Sequence, residues 1–110
     1  MQNASGMPQT SEQLGFPFII PGTSQKVAYD SSVRSAAFGT RTTVIRLIAS
    51  TDAHVAFGTE AVPTTPTALA DGTCVFLKAN IEYYFGVIPG SKIAAIKDSV
   101  AGNLFITEGF

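Results

Sequence analysis

The sequence predicts an all-β protein: a small β-sandwich or jelly-roll-like barrel of 7–8 short antiparallel strands, preceded by an extended N-terminal arm. Three observations point there. Short runs rich in β-branched and aromatic residues recur about every ten residues. Clusters of Gly, Pro, Asp, Asn and Ser separate them. The one segment with helical spacing (Ile93, Ile96, Val100) lies between Pro89-Gly90 and Gly102, which favours a short strand there.

The elements follow in order. Residues 1–14 are rich in Gln, Ser, Asn and Gly, lack periodicity and read as a flexible arm. Residues 15–22 (GFPFIIPG) are apolar and bracketed by Gly and Pro, so they suit a core edge or a strap laid on a neighbouring subunit. The division is therefore an arm over 1–24 and a single domain over 25–110. Strands are expected at 25–29, 41–49 (RTTVIRLIA), 53–57 (AHVAF), 73–78 (TCVFLK), 82–88 (EYYFGVI), 92–97 (KIAAIK) and 104–107 (LFIT). Residues 60–72, with Pro63 and Pro66, form a long connecting loop of the kind that often carries function. Pro89-Gly90 is a turn, and Gly86 reads as a bulge or a close backbone approach.

Composition narrows the function classes. Only 14% of residues are charged, against roughly 25% in ordinary soluble domains. Such a surface hides neutral or apolar area against a partner. Seven basic and eight acidic residues are scattered singly, giving a net charge of −1. No basic cluster is present to grip nucleic acid. Residues 1–13 lack the positive and apolar regions of a secretory leader, and no apolar run is long enough to span a bilayer. Neither nucleic acid nor membrane is an expected partner.

Chemistry-bearing residues are sparse. His54 is the only histidine and has no second histidine to share a metal. It reads as a strand residue facing solvent or making one hydrogen bond. Cys74, the only cysteine, reads as a buried, inert thiol in a strand. Asp52 and Asp71 read as turn-formers bonding the local backbone. No phosphate-binding glycine pattern occurs. In the run Tyr83-Tyr84-Phe85, the first and third share one face and fill the core, while Tyr84 turns outward. No catalytic, cofactor-binding or metal-binding residue is assigned, no cofactor is expected, and the chain is read as a non-enzyme. The interface candidates are Phe16, Phe18, Ile19, Ile20, Pro63, Pro66, Tyr84 and Phe110.

Residues 44–110 carry a pattern in fixed order: a strand leading into DAHVAFG (52–58), a Pro/Thr/Ala loop, FLKAN (76–80), EYYFGVIPGSKIAAI (82–96) and GNLFITE (102–108). This pattern resembles a class of small virion structural proteins encoded by tailed bacteriophages, and covers about two thirds of the chain. The resemblance implies a compact β-sandwich used in virion architecture, with no catalytic residues. The implied role is a capsid decoration, or cement, subunit that binds and stabilises the major capsid shell. The implied partners are the major capsid protein and copies of the chain itself, a trimer suiting three-fold positions of the shell. The implied location is the capsid surface of the virion, after synthesis in the host cytoplasm. A head or head–tail accessory role belongs to the same class.

Two rival readings come from different classes. A carbohydrate- or receptor-binding fibre or spike module would stack its ligand on Tyr83, Tyr84 and Phe57. A hydrolase would need His54 beside Cys74, or a pair of carboxylates.

Overall fold

In the computed structural model, which describes residues 20–110, the chain forms eight strands and no helix. They are β1 (Pro21–Tyr29), β2 (Val33–Arg34), β3 (Val44–Ala49), β4 (Ala53–Phe57), β5 (Val75–Leu77), β6 (Glu82–Gly86), β7 (Ile93–Lys97) and β8 (Gly102–Gly109). They build two four-stranded sheets. Sheet A has the order β1-β8-β3-β6, and sheet B has the order β2-β7-β4-β5. All pairings are antiparallel. This is the strand order of a jelly roll.

The topology has a simple origin. Partner numbers add to 131 for Ser24 with Thr107, 128 for Val33 with Ala95, 130 for Val44 with Gly86 and 130 for Ala53 with Leu77. The domain is thus one long hairpin whose two arms run side by side. Its midpoint falls near Thr65, inside the Pro/Thr/Ala loop. Rolling this hairpin makes the second set of pairings, β3 with β8 and β4 with β7.

Period-two patterning holds the two layers together. In β3, Ile45, Leu47 and Ala49 are buried while Val44, Arg46 and Ile48 are half-buried. Leu104 and Ile106 of β8, Val55 of β4, Leu77 of β5 and Ile93 of β7 join them in one core. Each such side chain contributes about 1.5–3 kcal/mol by leaving water. Tyr83 and Phe85 pack against this core from the edge, as their alternation predicts, and Phe57 meets Phe85 at 4.9 Å between centroids.

Several elements differ from the sequence expectation. The first strand begins at Pro21 rather than Gln25, so residues 21–24 of the expected arm are sheet. Proline is tolerated there because it opens an edge strand, and the ladder carries a bulge between Pro21 and Ser24. Residues 1–19 of the arm and strap lie outside the described residues. Strand β2 was not anticipated, since two residues show no periodicity. The strand expected from Arg41 starts at Val44, because Thr42 N–H closes a turn onto the Gly39 carbonyl at 3.1 Å. Gly86 makes neither a bulge nor a close approach: it pairs with Val44 in an unbroken ladder. Pro89-Gly90 forms the expected turn, with Ser91 N–H on the Ile88 carbonyl and Gly90 at φ 79°.

One end of the sandwich is tied by polar bonds. The Tyr29 hydroxyl donates to the Thr51 carbonyl at 2.7 Å and accepts from Thr51 N–H at 3.2 Å. Asp52 bonds Ala79 N–H at 2.8 Å, so it links two distant turns rather than its own. At the other end, the loop after β4 is held by Lys92 N–H on the Pro63 carbonyl at 2.9 Å.

A methyl group on Gly58 would overlap that same Pro63 carbonyl. Gly58→Ala should therefore lower stability by about 1–3 kcal/mol in urea denaturation. An unchanged midpoint would mean that the loop moves aside at no cost.

Candidate interaction surfaces

The two sheets differ in what covers them. The hairpin tip, residues 59–74, folds back toward β2 on the outer side of sheet B, while Phe76 of β5 on that side stays 45% exposed. Arg34 Nε donates to the Pro66 carbonyl at 2.7 Å, and Ala68 N–H donates to Ser32 Oγ at 3.0 Å. Pro66 and Ala68 are buried. Pro66 therefore offers no side chain to a partner in this state. Pro63 is half-buried, and Val62 and Leu69 are the large apolar residues that the loop exposes.

His54 lies on this covered side and is only 7% exposed. It pairs across the sheet with Phe76 and Ile96. Its Nε2 shares a hydrogen bond of 2.8 Å with the Asp98 carboxylate, and its Nδ1 has no partner among the described residues. The single hydrogen bond fits the sequence reading; the burial replaces solvent exposure. Cys74 stands just before β5 rather than in it, and is half-buried rather than buried. Its sulfur accepts from Leu69 N–H at 3.4 Å. No hydrogen bond joins Cys74 to His54, so the nucleophile–base contact that a thiol hydrolase needs is not made. Among the described residues no group of three or more His, Cys, Asp or Glu is placed to hold a metal.

Asp71 behaves as a local turn-former. Its carboxylate accepts from the Thr73 hydroxyl at 2.6 Å and from Thr73 N–H at 3.0 Å. These two bonds, the hydroxyl first, hold its pKa below the ordinary aspartate value.

Sheet A is different: no described residue covers its outer face. Residues directly opposite one another share a face, so the register places Lys26, Phe105, Ile48 and Glu82 in one row and Ser24, Thr107, Arg46 and Tyr84 in the next. Phe105 is 47% exposed at the centre of this face. Ile48 and Tyr84 flank it half-buried, and an Arg46–Glu82 ion pair borders it. A shallow groove of about 380 Å³ runs along the β1–β8 side of Phe105. Tyr84 is thus turned outward, as expected. Phe105 was missed, although burial of Leu104 and Ile106 makes the alternation unambiguous.

The remaining candidates lie where the domain begins and ends. Ile20 is exposed, and its N–H donates to the Phe110 carbonyl at 3.1 Å. Phe110 is also exposed, with the Arg41 guanidinium 4.3 Å above its ring. Phe16, Phe18 and Ile19 lie outside the described residues.

Two predictions follow from the loop. Arg34→Ala leaves the Pro66 carbonyl without its charged donor and should cost about 1.5–3 kcal/mol. Amide exchange should then quicken at Ala68 before it does in the core strands. Separately, Thr73→Val should raise the Asp71 pKa toward the ordinary value. The depressed pKa gives a contribution that is present above the unfolded value and lost as pH falls through the folded one. Carboxyl-carbon NMR titration reads the shift directly, and an unmoved midpoint would reject the hydroxyl as its cause.

No family profile, no curated protein and no solved structure matches this chain.

Proposed function

We propose that the chain is a non-enzymatic virion structural protein, a capsid decoration subunit that binds the major capsid shell and stabilises it. The observation that carries this reading is the bare outer face of sheet A, with Phe105 at its centre. A protein with 14% charged residues and an uncovered aromatic–aliphatic face is built to be covered by another protein surface. The jelly-roll topology supports the reading without fixing it, since shells, lectins and cupins share that fold. The sequence likeness supplies the shell as partner. Assembly as a closed homo-oligomer on the capsid surface belongs to the same proposal.

The glycan-stacking reading has less support. Of its three aromatic candidates, Phe57 and Tyr83 pack against the core, and the Tyr83 hydroxyl accepts from Lys78 N–H at 3.1 Å. Only Tyr84 remains outward.

The test is occupancy on purified shells, with native mass by light scattering alongside. Phe105→Asp removes a half-exposed ring from an inner strand, so it should cost about 1–2 kcal/mol of stability, and its urea midpoint is measured beside occupancy to show that it remains folded. Its shell occupancy or self-association should fall at least about tenfold, equivalent to about 1.4 kcal/mol. A truncation testing the strap should remove residues 1–19 only, because Pro21 already pairs with Gly109. Full occupancy by both variants would sink the proposal.

A further inference from the structure

Glu108 is out of place. In β8 it continues the inward stripe of Leu104 and Ile106, and it pairs with the core residue Ile45. It is 4% exposed. Four other carboxylates among the described residues face a basic group: Asp30 with Lys97, Asp52 with Lys78, Glu82 with Arg46 and Asp98 with His54. All four are more exposed than Glu108, which has no cationic partner among the described residues. The arrangement inverts the usual rule that buried charges are paired and exposed ones need not be.

The bonds that Glu108 does make fall on one oxygen. Gly39 N–H donates to Oε1 at 2.8 Å, and Thr42 Oγ1 donates to Oε1 at 2.7 Å. Both donors are neutral. Oε2 has no hydrogen-bond partner among the described residues. Glu108 lines an open cup of about 260 Å³, walled by Thr23, Gly39, Thr40, Arg41 and Phe110. Arg41, which lines the same cup, has its guanidinium over the Phe110 ring rather than on the carboxylate. The turn from Gly39 to Thr42 fixes the carboxylate in place, so its free oxygen is preorganised to accept.

We infer that this cup is a binding site for an organic cation with N–H donors: the ammonium of a lysine or the guanidinium of an arginine carried by a partner protein. Such a group supplies both things the carboxylate lacks, an opposite charge and a donor to Oε2. A neutral hydroxyl would supply only the second. The inference does not depend on which protein covers sheet A, since the cup lies at the strand ends and not on that face.

The test uses the whole chain and small probes. Nα-acetyl-lysine N-methylamide and its arginine counterpart are titrated while the Gly39 and Thr42 amide signals are followed by NMR. Gly39 N–H bonds the carboxylate itself, so it reports occupancy. The expected result is a saturable shift with one or both cationic probes and none with the neutral norleucine analogue. Affinity should fall at least about tenfold in Glu108→Gln, a variant of equal shape without the charge. The contrast between the cationic probes and the neutral norleucine analogue is read on the unaltered protein, which keeps the test decisive if Glu108→Gln fails to fold. Arg41→Ala removes an exposed like charge from the rim and should tighten binding about threefold. Weaker binding in Arg41→Ala would assign the ligand to Arg41 and overturn the inference. So would equal shifts with potassium chloride, which mark an inorganic ion site. A saturable response to glucose that survives Glu108→Gln would overturn it too, by marking a polyol site. Shell occupancy is measured separately, so the cup and the decoration role can fail independently.

Discussion

The structure depends on β8 lying between β1 and β3. That position joins the two arms of the long hairpin and turns a ribbon into two packed sheets. Without it, β1 has no partner in sheet A, and the inward stripe Ile45, Leu47, Ala49 has no neighbouring strand on that side. β7 does the same in sheet B, between β2 and β4. Both strands come late in the chain and pair with segments 40 to 80 or so residues earlier. Such pairings must overcome a large loop-closure entropy before the core rewards them. The polar ties at the turn end answer part of that cost. Tyr29, Thr51 and Gly102 meet at one corner, where a side chain on Gly102 would strike the Thr51 and Tyr29 hydroxyls. Glycine there is a packing requirement of the corner.

The same rolling decides where the protein can act. A hairpin rolled in this way has its tip at the end of sheet B, and a tip of this length can either extend or fold back. Here it folds back, anchored by Arg34 and Ser32 of the β2 region. That choice buries Pro66 and Ala68 against the β2 side of sheet B, while Phe76 on the β5 edge of the same face stays exposed. Sheet A has no equivalent cover among the described residues. The two faces thus differ in degree: the tip shields the β2 side of sheet B, whereas Phe105 stands uncovered on an inner strand of sheet A. The low charge content fits that uncovered face. Charge on the open face is confined to Lys26 at one margin and the Arg46–Glu82 pair, so the centre can be desolvated without stranding an unpaired ion.

What could be read from the sequence was whatever period two controls. The strand Ala53–Phe57 appears with the expected limits, and the split of Tyr83 and Phe85 inward from Tyr84 outward holds. The turn at Pro89-Gly90 was legible because proline and glycine act through their own backbone chemistry. The fold-back of the tip was not legible. Nothing local sets Pro66 and Ala68 apart from the rest of the loop, and the bonds that hold them come from Arg34 and Ser32, 32 and 36 residues away. The role of Asp52 was hidden for the same reason: its partner is a backbone amide 27 residues on. Phe105 and Glu108 were missed for a different reason. Both lie in an alternating strand whose pattern shows Phe105 outward and Glu108 inward, so the signal was present in the residues.

Glu108 is the harder of the two to explain by fold alone. A purely structural tie between β8 and the 39–42 turn needs only an acceptor for Gly39 N–H and Thr42 Oγ1. Glutamine supplies that acceptor from the same position, and its amide could reach the water of the cup without bringing a charge inward. Glutamate makes the same two bonds and adds a second carboxylate oxygen that no donor among the described residues meets. Arg41 lines the same cup, yet its guanidinium rests on the Phe110 ring and not on the carboxylate. The fold thus carries an uncompensated carboxylate, held in one orientation and open to an incoming donor. A group that gains most from such a site arrives with its own positive charge and an N–H donor, and it meets an acceptor whose orientation is already set by Gly39 and Thr42.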